Sequence, residues 1–103
     1  MNTQSNTAIL ENVQTKTRYA PHWQVIGIND DVTPMDYVML LLIDIFHKSH
    51  EDAFKLMMTV HEVGAAPFYF GTREACELKV EQVSAMNKTY DEKLIVSIEV
   101  VDE

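Results

Sequence analysis

The sequence predicts a single α+β domain of order β-α-α-β-α-β, with three helices packed on a small, mostly antiparallel three-stranded sheet. Two kinds of observation lead there. Short β-branched or aromatic runs alternate with longer stretches of helical apolar spacing, and Ser, Thr, Pro and Gly punctuate the joins between them. The 103 residues are 47% hydrophobic with only 3 Gly and 3 Pro, a composition suited to one folded core and too rich for disorder.

Taken in order, residues 1 to about 21 are rich in Asn, Thr and Gln around one apolar trio, Ala8, Ile9 and Leu10. Such a stretch buries too little apolar area to offset ordering costs of about 1–2 kcal/mol per residue, so it reads as a flexible extension. The core domain then runs over residues 22–103. Trp23–Ile28 is the first strand, ending on the turn formers Asn29, Asp30 and Asp31. Thr33 reads as an N-cap followed by Pro34 at the first helical position, with Asp36 in the first turn. Met35, Val38, Met39, Leu42 and Ile45 repeat with helical spacing, and Leu40, Leu41 and Ile43 spread the apolar surface nearly all round. This helix is therefore expected to be buried on most sides. Ser49 caps a second helix with Glu51 and Asp52 in its first turn, a stripe of Ala53, Leu56, Met57 and Val60, and a stop at Gly64. Ala66–Gly71 is an aromatic strand. Thr72 caps a third helix with Cys76, Val80, Val83 and Met86 inward, and Leu94–Val100 alternates as the last strand.

Composition excludes several function classes. Sixteen acids against 8 bases give a net charge of −8, and no Lys/Arg cluster is present to meet nucleic acid or an anionic membrane. The single cysteine, Cys76, forms no internal disulfide and no C-x-x-C pair. The longest apolar run, Tyr37–Ile43, ends at Asp44, far short of the roughly 20 residues that span a bilayer. Met1–Asn6 lacks the features of a secretory signal, which makes the cytoplasm the expected location.

Chemistry concentrates in Asn29-Asp30-Asp31-Val32-Thr33-Pro34-Met35, where an amide and two carboxylates precede a helix. Turn formation alone explains such residues, but they are also hydrogen-bond acceptors for a ligand. An EF-hand does not fit, because Pro34 and Met35 intrude where oxygen ligands are required. Adjacent carboxylates on one loop are weak grounds for a glycosidase. His61 borders the apolar stripe of the second helix and is expected to be partly buried, either as a satisfied border residue or as a polar group at a cavity mouth. His47 and His50 lie in the interhelical turn without the partners zinc needs. Met35, Met39, Met57 and Met58 fill a core or line a tolerant apolar pocket. No nucleophilic constellation is visible, and Cys76 is placed inward where thiols are inert. A small acid-base or metal-dependent enzyme thus has little support, and no cofactor is called for.

Three motifs, Asn29-Asp30-Asp31-x-Thr33-Pro34-Met35, Val60-His61-x-x-Gly64 and Glu74-x-x-Glu77-x-Lys79, stand in the order and spacing of the ClpS adaptors. The resemblance extends from about Trp23 to Glu99. It implies a non-enzymatic cytoplasmic adaptor that binds the N-terminal residue of a degradation substrate, with a preference for Leu, Phe, Tyr or Trp. It also implies delivery to a Clp-type AAA+ unfoldase, ClpA-like or ClpC-like, with its protease. On that likeness Asn29, Asp31 and His61 bind the substrate α-amino group, with Asp30 against the start of its backbone. Met35 is the gate, and Val38, Met57, Val60 and Leu94 line the side-chain pocket. Glu74 and Lys79 face the unfoldase, while the extension over residues 1–21 engages its translocation channel. The α-amino group is a cation with three donors, and Asn29 oxygen, Asp31 carboxylate and a neutral His61 nitrogen supply three acceptors. The chain departs from the family pattern at Phe68, Tyr69 and Phe70, where small residues are usual, and at Val32, where an aromatic is frequent. These changes fall on or near surfaces expected to meet partners. A ClpS-fold interaction module without amino-terminus recognition is the alternative.

Overall fold

The computed structural model describes residues 22–101; the expected extension over residues 1–21 lies outside them. The elements are β1 (His22–Ile28), α1 (Met35–Asp44), α2 (His50–Val63), β2 (Ala65–Gly71), α3 (Arg73–Tyr90) and β3 (Ile95–Val101). The three strands are ordered β2-β1-β3, and both pairings are antiparallel. This is the expected element order, with a wholly antiparallel sheet. Helix α3 lies against all three strands, α2 packs against β2, and α1 packs against α2. Among the described residues, no helix is long and apolar enough to cross a membrane.

β1 is the central strand, and its inward positions Val25 and Gly27 are buried. Between Val25 and Ile26 the register with β2 shifts, so that Val25 pairs with Tyr69 and Ile26 with Pro67. Phe68 is the extra residue of this bulge. Its side chain is fully buried, and its ring occupies the space that a Cβ on Gly27 would need. The three aromatics are expected near a partner surface, but only Phe70 is strongly exposed. Phe68 is core, and Tyr69 packs toward Phe46 with ring centroids 6.3 Å apart. Pro67 sits on an edge strand, where its missing N–H is tolerated.

The caps of α2 and α3 follow local rules. Ser49 Oγ accepts from Asp52 N at 3.1 Å, and Thr72 Oγ1 accepts from Ala75 N at 3.1 Å. Gly64 closes α2 at φ 108°, its N–H donating to Val60 O at 2.9 Å. The start of α1 differs from expectation. Pro34 occupies the cap position with no side-chain bond, because Thr33 is instead bonded to Asp30. Helix α1 is also less enveloped than its composition suggests. Tyr37, Val38, Leu41 and Leu42 are buried, continued by Ile45 and Phe46, whereas Leu40 and Ile43 are half-buried and Met35 is 41% exposed. Beyond its end, Lys79 Nζ donates to Ile45 O at 2.6 Å and lies over the Phe46 and Tyr69 rings. The Lys79 ammonium therefore holds the α1 terminus to α3.

Candidate functional site

A cavity of about 270 Å³ opens between the β1–α1 loop, α1, α2 and the approach to β3. Its walls carry Asn29, Asp30, Asp31, Thr33, Met35, Val38, Met57, Val60, His61 and Leu94. Every residue expected in the amino clamp and the apolar pocket is thus brought to one cavity. Glu74 and Lys79 lie elsewhere, on α3. Thr33 belongs to the cavity, which its reading as a helix cap does not show; its place inside the Asn29–Met35 motif is the signal available.

The apolar wall is a continuation of the core. Val38, Met57, Val60 and Leu94 are each no more than 6% exposed, and they come from α1, α2 and the segment before β3. Helical spacing places Met57 and Val60 on one face of α2, with Val38 facing them from α1. Met35 stands at the open mouth.

The polar rim is built by backbone anchoring. Asn29 N donates to Gly64 O at 2.9 Å, which ties the loop after β1 to the end of α2. The left-handed turn at Gly64 makes that junction, and the Asn29–Asp31 segment is thereby brought beside His61. Asp30 then shapes the loop from within. Its Oδ1 accepts from Val32 N at 2.8 Å and Thr33 N at 2.7 Å, and its Oδ2 accepts from Thr33 Oγ1 at 2.8 Å. Burial acts to raise the Asp30 pKa, but these bonds from Thr33 and Val32 outweigh it and hold the carboxyl below its ordinary value.

The other three polar groups differ from Asp30. Among the described residues, the side chains of Asn29, Asp31 and His61 make no hydrogen bond or ion pair. All three are exposed at the rim. His61 was expected to be partly buried, but it occupies the last turn of α2, where the helix runs beyond the core toward Gly64. A carboxylate, an amide oxygen and an imidazole nitrogen therefore face solvent above an apolar well, with no Lys or Arg among the lining residues. Such a rim suits a cationic hydrogen-bond donor. Among the described residues, no three His, Cys, Asp or Glu side chains gather to hold a metal. Cys76 is buried away from the cavity; burial raises its pKa, against a backbone hydrogen bond from Gly71.

Comparison with known proteins agrees with this architecture. The family model for the ATP-dependent Clp protease adaptor protein ClpS matches residues 18–97. The ClpS adapter of Xylella fastidiosa is 36% identical over 95 residues, covering 92% of this chain and 90% of that protein. The one from Deinococcus radiodurans is 40% identical over 72 residues, covering 70% and 64% of the two chains. Agrobacterium tumefaciens ClpS2, solved bound to L-phenylalaninamide, matches with TM-score 0.74 and 27% identity over 79% of this chain and 98% of its own. The chain belongs to the ClpS family of Clp protease adaptors, proteins that serve proteolysis without being enzymes themselves.

Proposed function

We propose that the cavity receives the N-terminal residue of a protein destined for degradation, its α-amino group at the rim and its side chain in the well. The observation that carries this is the convergence of three unpartnered acceptors, Asn29, Asp31 and His61, on the mouth of an apolar cavity. A protonated α-amino group brings three donors to three acceptors. The cavity, at about 270 Å³, lies just below the roughly 300–1,000 Å³ of drug-sized sites and suits one residue rather than a long segment. The ligand of the Agrobacterium tumefaciens relative, L-phenylalaninamide, pairs a free α-amino group with a bulky side chain.

Magnitudes explain why both halves are needed. Burying a Leu- or Phe-sized side chain contributes about 1.5–3 kcal/mol. A hydrogen bond to a charged group adds about 1.5–3 kcal/mol. Losses on association are of order 4–15 kcal/mol. The side chain alone falls short of that cost, and three such bonds, together about 4.5–9 kcal/mol, meet only its lower part, so the site favours a bulky residue that begins a chain.

Asp30 shapes the loop against the start of the substrate backbone, and Met35 gates the mouth against side chains branched at Cβ. The adaptor works in the cytoplasm and passes its cargo to a Clp-type AAA+ unfoldase, with Glu74 and Lys79 on the face it presents and residues 1–21 engaging the translocation channel. Isothermal titration with decapeptides differing only at the first residue tests the pocket. Peptides beginning with Leu, Phe, Tyr or Trp should bind, and one beginning with Val should bind at least tenfold more weakly; equal affinity for Leu and Val would remove the gate. An interaction module without amino-terminus recognition fits less well, because the cavity is open and its rim acceptors are unpartnered.

A further inference from the structure

Building on the reading of the cavity as a pocket for an N-terminal side chain, we propose that Asn87 and Tyr37 are positioning residues that set which bulky side chains it accepts, by fixing Leu94 in its wall. Leu94 is the one apolar residue of the cavity wall held by neither a helix nor a strand, since it lies between the end of α3 and the start of β3. Its place is set by Asn87. The Asn87 Nδ2 donates to Leu94 O at 3.0 Å, and the Asn87 Oδ1 accepts from Tyr37 Oη at 2.7 Å. A carbonyl only accepts, so the amide nitrogen must face Leu94, and its oxygen is left for the phenol.

Asn87 also gathers the turn between them. Its backbone oxygen accepts from Glu92 N at 2.8 Å and from Asp91 N, the left-handed residue that closes α3 at φ 57°. Tyr37 is 6% exposed, packs against the Tyr90 ring at 5.8 Å between centroids, and immediately precedes the wall residue Val38. The bridge Tyr37–Asn87–Leu94 thus joins two walls that come from opposite ends of the chain. Neither Tyr37 nor Asn87 lines the cavity, and neither touches the rim acceptors. Loosening the bridge changes the shape of the well and leaves the amino clamp in place.

The test is the ratio of dissociation constants for L-leucinamide and L-phenylalaninamide, measured by titration calorimetry on the full chain and on N87D and Y37F. Asn87→Asp keeps the side-chain shape and an acceptor for Tyr37, but sets an oxygen against the Leu94 carbonyl. Its ratio should shift by about threefold to tenfold, the scale of a lost hydrogen bond. Tyr37→Phe should move it in the same direction by less, and it supplies the reading if N87D fails to fold. Discrimination against N-acetyl-L-phenylalaninamide should be unchanged in both, because the rim is untouched. An equal loss for both amides, or no change in ratio in either variant, would overturn the proposal. Failure of the unaltered protein to bind either amide would instead sink the reading of the pocket, and this inference with it.

Discussion

The well and the rim of the cavity are built by opposite means. Val38, Met57, Val60 and Leu94 are at once wall and hydrophobic core, so the packing that folds the domain also shapes the well. The rim joins His61 of α2 to a short loop whose groups divide the labour. Asp30 spends both carboxylate oxygens on its own loop, whereas the adjacent Asp31 is left without a partner among the described residues. Neighbouring residues of the same type are thus structural in one case and available in the other. A change in the well should cost stability and binding together, while a change at the rim should separate them.

The largest effect should come from the well. Met57→Ala removes a side chain that is 6% exposed from the core, and such truncations cost about 2–5 kcal/mol. A domain of this size should lose about 4–8 °C in Tm per kcal/mol, with weaker peptide binding as well; thermal unfolding and titration of the same sample would show both. Unchanged Tm would mean that the well is not core. Asp31→Ala should sharpen the contrast. Stability should stay within about 0.5 kcal/mol, as for surface substitutions, while affinity for a peptide beginning with Leu falls by about 1.5–3 kcal/mol, ten- to a hundredfold or more.

The smallest effect should belong to Asp30→Asn. Its carboxyl has a folded pKa below the unfolded value of about 3.9, so its ionised form stabilises the fold above that value. This contribution should disappear as pH falls through the lower, folded pKa. The variant should be about 1 kcal/mol less stable at neutral pH, given the bonds it weakens, and the difference should close in acid. Urea unfolding at pH 7 and below pH 4 measures it. A gap that persists undiminished in acid would assign the loop's shape to something other than the Asp30 charge.

How much of this was readable beforehand follows from range. Ser49, Thr72 and Gly64 were identified as helix ends because a cap interacts with residues three or four away, within the reach of local rules. The β-α-α-β-α-β order emerged in the same way. At Thr33 two local rules competed: the hydroxyl that could have capped α1 is bonded to Asp30, and Pro34 takes the cap position. Helix α1 is apolar on nearly every side, so its pattern could not show that Tyr37 and Leu41 would be buried while Leu40 would not. The engagement of Lys79 with Ile45 spans 34 residues, and the burial of Phe68 depends on the absence of a side chain at Gly27. Neither leaves a local trace.

The site was legible for a different reason. Its rim residues form two contiguous motifs, so their resemblance to ClpS adaptors could be seen without knowing how the chain folds. The fold adds the bond from Asn29 N to Gly64 O, which joins those motifs in space. It also separates Asp30 from Asp31 in role.

Isothermal titration with one decapeptide beginning with Leu, in free and N-acetylated forms, tests the central claim most directly. Acetylation leaves the side chain intact and removes the positive charge and two of the three donors meant for Asn29, Asp31 and His61. The free peptide should bind at least tenfold more tightly, since losing one charge-assisted hydrogen bond costs about 1.5–3 kcal/mol. Equal affinity for the two forms would show that the rim does not read a chain's beginning.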